Sequence, residues 1–233
     1  MSIWRTQASR LLGALLPQDC LLCGSFSGSG LLCGPCEREL PRLPTATCPT
    51  CGEASPDGSI CGACLKSPPH YEATFASLRY AFPVDKLVQA LKYRRHLATA
   101  EFLASAMLAG PRPLGDLVIP VPLSATRLAE RGFNQAVEIA RPLARALGLP
   151  LCLDGCTRRH DTAPQATLPW KARRKNIRNA FECSIDLAGR SIIAVDDVMT
   201  TGATLDEFAR TLKAHGAARV TNWVAARALR GGD

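Results

Sequence analysis

The sequence predicts an α/β protein, a parallel-rich sheet flanked by helices, preceded by a small cysteine-rich N-terminal module. Three observations carry this. Eight of the 11 cysteines fall between Cys20 and Cys64 as four Cys-x-x-Cys pairs. From about residue 71, strand-like apolar runs alternate with helical patterns, which indicates a parallel sheet with helices on both faces. One run, Ile192–Val195, ends on two adjacent acidic residues and a Thr-Thr-Gly turn. The 233 residues leave room for one full domain plus a small module. A content of 47% hydrophobic and 21% charged residues excludes a disordered chain. No apolar run approaches the roughly 20 residues of a membrane helix, so no transmembrane segment is expected. The net charge of +8 favours anionic partners.

The first element is a repeat. Cys20, Cys23, Cys33 and Cys36 recur 28 positions later as Cys48, Cys51, Cys61 and Cys64, and Gly24, Ser27, Gly30 and Gly34 recur as Gly52, Ser55, Gly58 and Gly62. A Cys-x-x-Cys turn presents two thiolates to one metal, and two turns complete a tetrahedral all-sulfur site. Two units imply two zinc ions. Sequential pairing, each repeat closing its own site, is favoured; a crossed arrangement of first turn with third is the alternative. No ligand position is left open for a substrate, so both zinc ions read as structural. An odd cysteine count argues against a fully paired disulfide scaffold.

In residues 1–16, Ile3, Trp4, Ala8, Leu11, Leu12 and Leu15 share one face at helical spacing. The run Leu11–Leu16 is too short for a signal core and is followed by Pro17 and Asp19. The segment reads as an amphipathic helix packing on the zinc module, and the protein as cytoplasmic. Proline-rich stretches at 41–49 and 67–70 put a boundary near residue 70, giving units 1–70 and 71–233.

In the second unit, Phe75–Phe82 reads as a strand. Helical patterns follow at 84–94 and 97–109, then a short buried strand, Leu117–Val121. Phe133–Leu147 is helical and stops at Gly148. Ile192–Val195 is too short for a helix and reads as a buried strand. Ala203–Ala214 is a helix ending at Gly216, and Val220–Ala226 a last strand. Cys152, Cys156 and Cys183 read as buried small apolar residues. His70, His96, His160 and His215 lack the spacing of a metal site or a catalytic base.

The chemistry concentrates in Ile192–Thr204. A buried strand delivers Asp196 and Asp197 to its C-terminal end, the edge where open α/β sheets bind ligands. A helix start follows, with free N–H groups and a positive dipole end. Gly202 permits close approach to a phosphate, and Thr200, Thr201 and Thr204 add hydroxyl donors. The carboxylates would repel a phosphate and suit sugar hydroxyls or a bridged metal. An acidic pair followed by Thr-Thr-Gly resembles the type I phosphoribosyltransferases. That resemblance implies a type I phosphoribosyltransferase-like fold, Asp196 and Asp197 as the catalytic pair on the ribose 2- and 3-hydroxyls, and Thr200, Thr201, Gly202, Ala203 and Thr204 as the 5-phosphate loop of a phosphoribosyl pyrophosphate site. A second segment, Val118-Ile119-Pro120-Val121-Pro122 running on to Gln135, is similar to the strand and loop that hold pyrophosphate, with Arg127 and Arg131 as cations and Asn134 and Gln135 as donors.

The order of the motifs adds to this. Zinc pairs, Leu91-Lys92-Tyr93, Pro-Val-Pro-Leu, Arg-Gly-Phe-Asn-Gln, Gln165, Arg173-Arg174-Lys175-Asn176 and Asp-Asp-x-x-Thr-Thr-Gly-Ala-Thr follow one another along residues 17–228. The chain thereby resembles the ComF family, a double zinc ribbon joined to a phosphoribosyltransferase-type domain. The resemblance implies phosphoribosyl pyrophosphate and Mg2+ as ligands, and single-stranded DNA and the DNA-uptake machinery of natural transformation as partners. It leaves open whether the chain turns over substrate as a phosphoribosyltransferase.

Charge follows the same division. Residues 1–70 net zero, while residues 158–178 alone net +6. The resemblance makes this run a loop carrying Arg173, Arg174 and Lys175 to the pyrophosphate; Lys92 is a further phosphate cation, an exposed helix lysine being the equal alternative. Two other functions stand beside a transferase: a non-catalytic nucleic-acid-binding zinc protein and a regulatory phosphoribosyl pyrophosphate sensor. At 6% aromatic residues the chain is poor in stacking groups for single strands.

Overall fold

A computed structural model describes residues 18–159 and 177–230. The expected helix at 1–16 and most of the basic run, Arg173, Arg174 and Lys175 included, lie outside the described residues.

The 28-residue repeat folds twice in the same way. In each copy a glycine at positive φ, Gly24 or Gly52, turns the chain so that its N–H donates to the carbonyl of Cys20 (2.9 Å) or Cys48 (2.8 Å). Each copy ends in a five-residue helix, α1 (Gly34–Arg38) and α2 (Gly62–Lys66), entered from Cys33 and Cys61. The first copy adds a two-strand ribbon, β1 (Gln18–Asp19) and β2 (Phe26–Gly28).

The central sheet has four parallel strands: β3 (Ala73–Arg79), β4 (Leu117–Pro120), β7 (Ser191–Met199) and β8 (Arg219–Arg227), in the order β3-β8-β7-β4. Helix α3 (Val84–Arg94), α4 (Ala98–Leu108) and α6 (Gln135–Leu147) cover one face, and α7 (Ala203–Ala214) the other. Alternate side chains of β7 divide between the two cores. Ile193 and Val195 join Leu87, Leu91, Leu103 and Ile139; Ile192 and Ala194 join Leu205, Phe208 and Leu212. The inner strands are therefore apolar on both faces, as a covered parallel sheet requires. The zinc repeats lean on these cores, Cys20, Leu32 and Leu40 on the first and Cys51 on the second.

Three elements differ from the sequence reading. The first strand spans 73–79, earlier than expected, because its partner β8 begins at Arg219. Strand β7 runs to Met199, well past Val195, because β8 pairs with it along its length and carries Asp196 opposite Val224. The segment read as a pyrophosphate loop contains helix α5 (Ala125–Arg131), capped by Ser124, whose Oγ accepts from the Arg127 N–H at 3.5 Å, and closed by Gly132 at φ 78°. A small antiparallel pair, β5 (Cys156–Arg158) and β6 (Phe181–Cys183), completes the fold, with Cys156 and Cys183 buried. Among the described residues no helix is long and apolar enough to cross a membrane.

Candidate functional site

The site forms where β7 outruns β4. Pro120, the last residue of β4, stands opposite Val195, so the next two residues of β7 project beyond their neighbour's end. Those residues are Asp196, partly exposed, and Asp197, buried. A cleft of about 320 Å³ opens over this step. Asp196, Asp197, Thr200, Thr204, Lys92, Arg127 and Arg131 all line it.

Each cation is placed by local structure. Arg127 and Arg131 lie four residues apart on α5, hence on one face. The Arg131 guanidinium donates to Gln135 Oε1 at 2.9 Å and sits 5.6 Å from the Tyr93 ring centre. Asn134 anchors the next helix: its side-chain oxygen accepts from the Ala136 N–H (2.9 Å) and its amide donates to the Val121 carbonyl (3.0 Å). Lys92, in the last turn of α3, reaches Asp197 Oδ2 at 2.5 Å. It is 20% exposed, so it is no solvated surface lysine.

The carboxylates are electrostatically unequal. Burial and the adjacent Asp197 charge push Asp196 well above the usual carboxylate range. Burial acts on Asp197 too, but the Lys92 ammonium outweighs it and holds that carboxyl below its usual value. Burial alone would lower Lys92; the Asp197 charge more than offsets it, and the ammonium is raised. One carboxylate is thus committed to a cation, while the other faces the cleft and keeps its proton more readily.

The Thr200–Thr204 loop divides two hollows. Thr200 and Thr204 face the cleft; Thr201, Gly202 and Ala203 line a smaller hollow of about 90 Å³ shared with Cys51, Cys64, Tyr71 and Arg227. Gly202 has φ 80°, and a Cβ there would lie 2.6 Å from Met199 Cε and 3.0 Å from the Tyr71 hydroxyl. Gly202→Ala should cost about 1–3 kcal/mol of stability, measurable by denaturant unfolding.

Tyr80, Gln135 and Arg158 also line the cleft. Gln135 was expected as a donor at the helix start. Arg158 is the first residue of the basic run. Nothing in the sequence marked Tyr80, which reaches the cleft only because β3 pairs beside β8 at the sheet's edge.

The thiols gather by repeat: Cys20, Cys23, Cys33 and Cys36 in one group, Cys48, Cys51, Cys61 and Cys64 in the other, with Sγ atoms in each within 4.8 Å of one another. Cys23–Cys33 and Cys51–Cys61 are each 3.6 Å apart. Four sulfurs about 2.3 Å from zinc in a tetrahedron stand roughly 3.8 Å apart, so both groups fit the ion. The gathering follows the sequential pairing, not the crossed one.

Two family models match the chain. Residues 11–65 match the double zinc ribbon domain and residues 134–231 the phosphoribosyl transferase domain. The chain is 36% identical over 172 residues to the DNA utilization protein YhgH of Escherichia coli O157:H7, covering 70% of this chain and 76% of that one. It is 33% identical over 174 residues to Competence protein F of Haemophilus influenzae, with the same coverage. The chain belongs to the ComF family. A further relative, Competence protein ComFC of Bacillus subtilis, is 37% identical over 107 residues, 44% of this chain and 40% of that one. In this ComF-family chain the two all-cysteine groups are the double ribbon's structural zinc sites, and the acid pair and Thr200–Thr204 fall inside the transferase-domain match.

Proposed function

We propose that this ComF-family protein binds phosphoribosyl pyrophosphate in the cleft over β7 and acts in the handling of single-stranded DNA during natural transformation. One observation carries the binding reading: a single cleft presents a carboxylate pair flanked by Lys92, Arg127 and Arg131, beside a threonine-rich turn that opens α7. A ligand that fits has an anion at each end and hydroxyls in the middle. The 5-phosphate belongs at the Thr200–Thr204 turn, where the start of a 12-residue helix supplies N–H groups and a positive dipole end. The ribose hydroxyls belong over Asp196 and Asp197. The pyrophosphate belongs with Arg127 and Arg131. Arg173, Arg174 and Lys175 are further cations for it.

Asp196, partly exposed to the cleft, is the carboxylate that would hold magnesium. Magnesium, when bound, would neutralise pyrophosphate oxygens and ease departure of that group. Group transfer would form a bond from an acceptor nitrogen to C1 while the C1–O bond breaks; pyrophosphate leaves with the electron pair and the acceptor loses its proton. The chain's contribution is to position and to stabilise charge. A regulatory sensor would bind the same ligand without releasing pyrophosphate, which separates the two readings. The DNA role is supported by the relatives, a DNA utilization protein and a Competence protein F, and by the net charge of +8.

The test is replacement of both acids. Asp196→Asn with Asp197→Asn should weaken magnesium-dependent phosphoribosyl pyrophosphate binding by about a hundredfold in calorimetry, given about 1.4 kcal/mol per tenfold and the strength of charged hydrogen bonds. Unchanged affinity would refute the placement of the ribose.

A further inference from the structure

Arg227 connects the second zinc repeat to the phosphate turn. It ends β8, and its side chain is 3% exposed. Its Nε donates to the carbonyl of Cys51 at 2.8 Å, a residue of the second all-cysteine group. Its Nη1 donates to the carbonyls of Met199 (3.2 Å) and Thr200 (2.5 Å), where the chain leaves β7 for the turn, and also to the Ala228 carbonyl. Its Nη2 donates to Glu53 Oε2 at 3.2 Å, and the other Glu53 oxygen accepts from the Arg230 N–H at 2.9 Å.

Two shorter ties run in parallel. The Tyr71 hydroxyl lies against Gly202, and Asp206 in the first turn of α7 accepts from the His70 N–H at 2.7 Å. The first all-cysteine group instead packs toward the α3 and α4 side of the sheet through Cys20, Leu32 and Leu40. The two zinc sites are therefore not equivalent with respect to the cleft.

We propose that Arg227 is a positioning residue through which the second zinc site sets the phosphate turn, so that affinity for the 5-phosphate depends on metal at Cys48, Cys51, Cys61 and Cys64 and not on metal at the first site. The physical route is short. Zinc fixes the Cys48–Cys51 turn, that turn fixes the Cys51 carbonyl, and the carbonyl together with the Glu53 carboxylate fixes a buried guanidinium. The guanidinium in turn fixes the two carbonyls at which the turn begins. A buried charge held by several acceptors is costly to displace, because each lost bond leaves an unpaired polar group. The inference rests on the phosphoribosyl pyrophosphate reading for its ligand, but not for its mechanical part.

The experiment uses the full zinc-loaded chain and two partial ligands, ribose 5-phosphate for the phosphate turn and inorganic pyrophosphate for the Arg127 and Arg131 side. In Arg227→Met, ribose 5-phosphate affinity should fall about tenfold while pyrophosphate affinity stays within about twofold. Amide exchange across residues 199–206 should quicken about tenfold, with two zinc ions still bound. Glu53→Gln, a gentler change, should move the same readouts in the same direction. Cys48→Ser with Cys61→Ser should reproduce the loss, and Cys20→Ser with Cys33→Ser should not. Equal weakening of both ligands, no weakening of either, or equal effects from the two zinc sites would overturn the proposal. If wild-type protein binds neither ligand, the ligand reading fails by itself; exchange at 199–206 then decides the coupling, and unchanged exchange in Arg227→Met overturns it.

Discussion

Lys92→Met should destabilise the protein by about 3–5 kcal/mol, because it removes the cation and leaves a buried carboxylate behind. Asp197 is 4% exposed and Lys92 supplies its ion-pair partner at 2.5 Å. The adjacent Asp196 supplies no positive charge in its place, whether or not it keeps its proton. Asp197→Asn alone should cost less, because Lys92 keeps Asp196 as a counter-charge. The double variant Lys92→Met with Asp197→Asn should therefore recover much of the loss, and a double-mutant cycle by denaturant unfolding measures the coupling. Additive costs would mean that the pair contributes little.

The pair also fixes how stability responds to pH. The Asp197 value is lowered in the fold, so its contribution is present above the ordinary range near ~4 and is lost as pH falls through the folded value. Asp196 is raised, so the fold favours its protonated form, and stability declines as pH climbs from ~4 through the raised value. Lys92 is raised, so its contribution is complete below ~10.4 and is lost as pH rises through the folded value. The gap between wild type and Lys92→Met should accordingly narrow in acid, where Asp197 takes up a proton.

Removal of zinc should unfold residues 18–66, an effect larger still. Apart from its packing on the two cores and the Arg227 bonds, this segment has little of its own to hold it. Its two helices are five residues each, α1 buries no residue and α2 buries only Cys64. Its strands are two and three residues long. Modules of this size take their folding energy from the metal, about 10–16 kcal/mol per site in isolated peptides at pH 7. Metal analysis should find two zinc ions per chain. A strong chelator, or acid that protonates the thiolates, should release both and open 18–66 to proteolysis. The sheet and its two cores should resist longer. Full protease resistance after both ions are lost would contradict a structural role.

The sequence announced much of this. The cysteine repeat was visible because metal ligation tolerates almost no substitution of residue type. Helices α3 and α7 were bounded correctly at 84–94 and 203–214, since their apolar residues follow a clean helical period and each starts just after a proline or glycine, Pro83 or Gly202. The acid pair stood out because two adjacent carboxylates on an apolar strand need a reason. What escaped was set by pairing across the chain. The length of β7 depends on β8, some two dozen residues later. Helix α5 is seven residues with no buried side chain, so it shows no amphipathic signal, although Ser124 and Gly132 at its ends were readable as caps. Arg227 lies one residue past the expected last strand and drew no reading of its own, yet it is 2% exposed and bonds both Cys51, 176 residues earlier, and the Met199 and Thr200 carbonyls.

The central claim is that the cleft over β7 holds phosphoribosyl pyrophosphate. Calorimetric titration of that ligand into the full zinc-loaded chain, with and without magnesium, tests it most directly. The account predicts one site per chain with magnesium-dependent affinity, weakened about a hundredfold in Asp196→Asn with Asp197→Asn. No heat of binding to a chain confirmed to carry two zinc ions would contradict it.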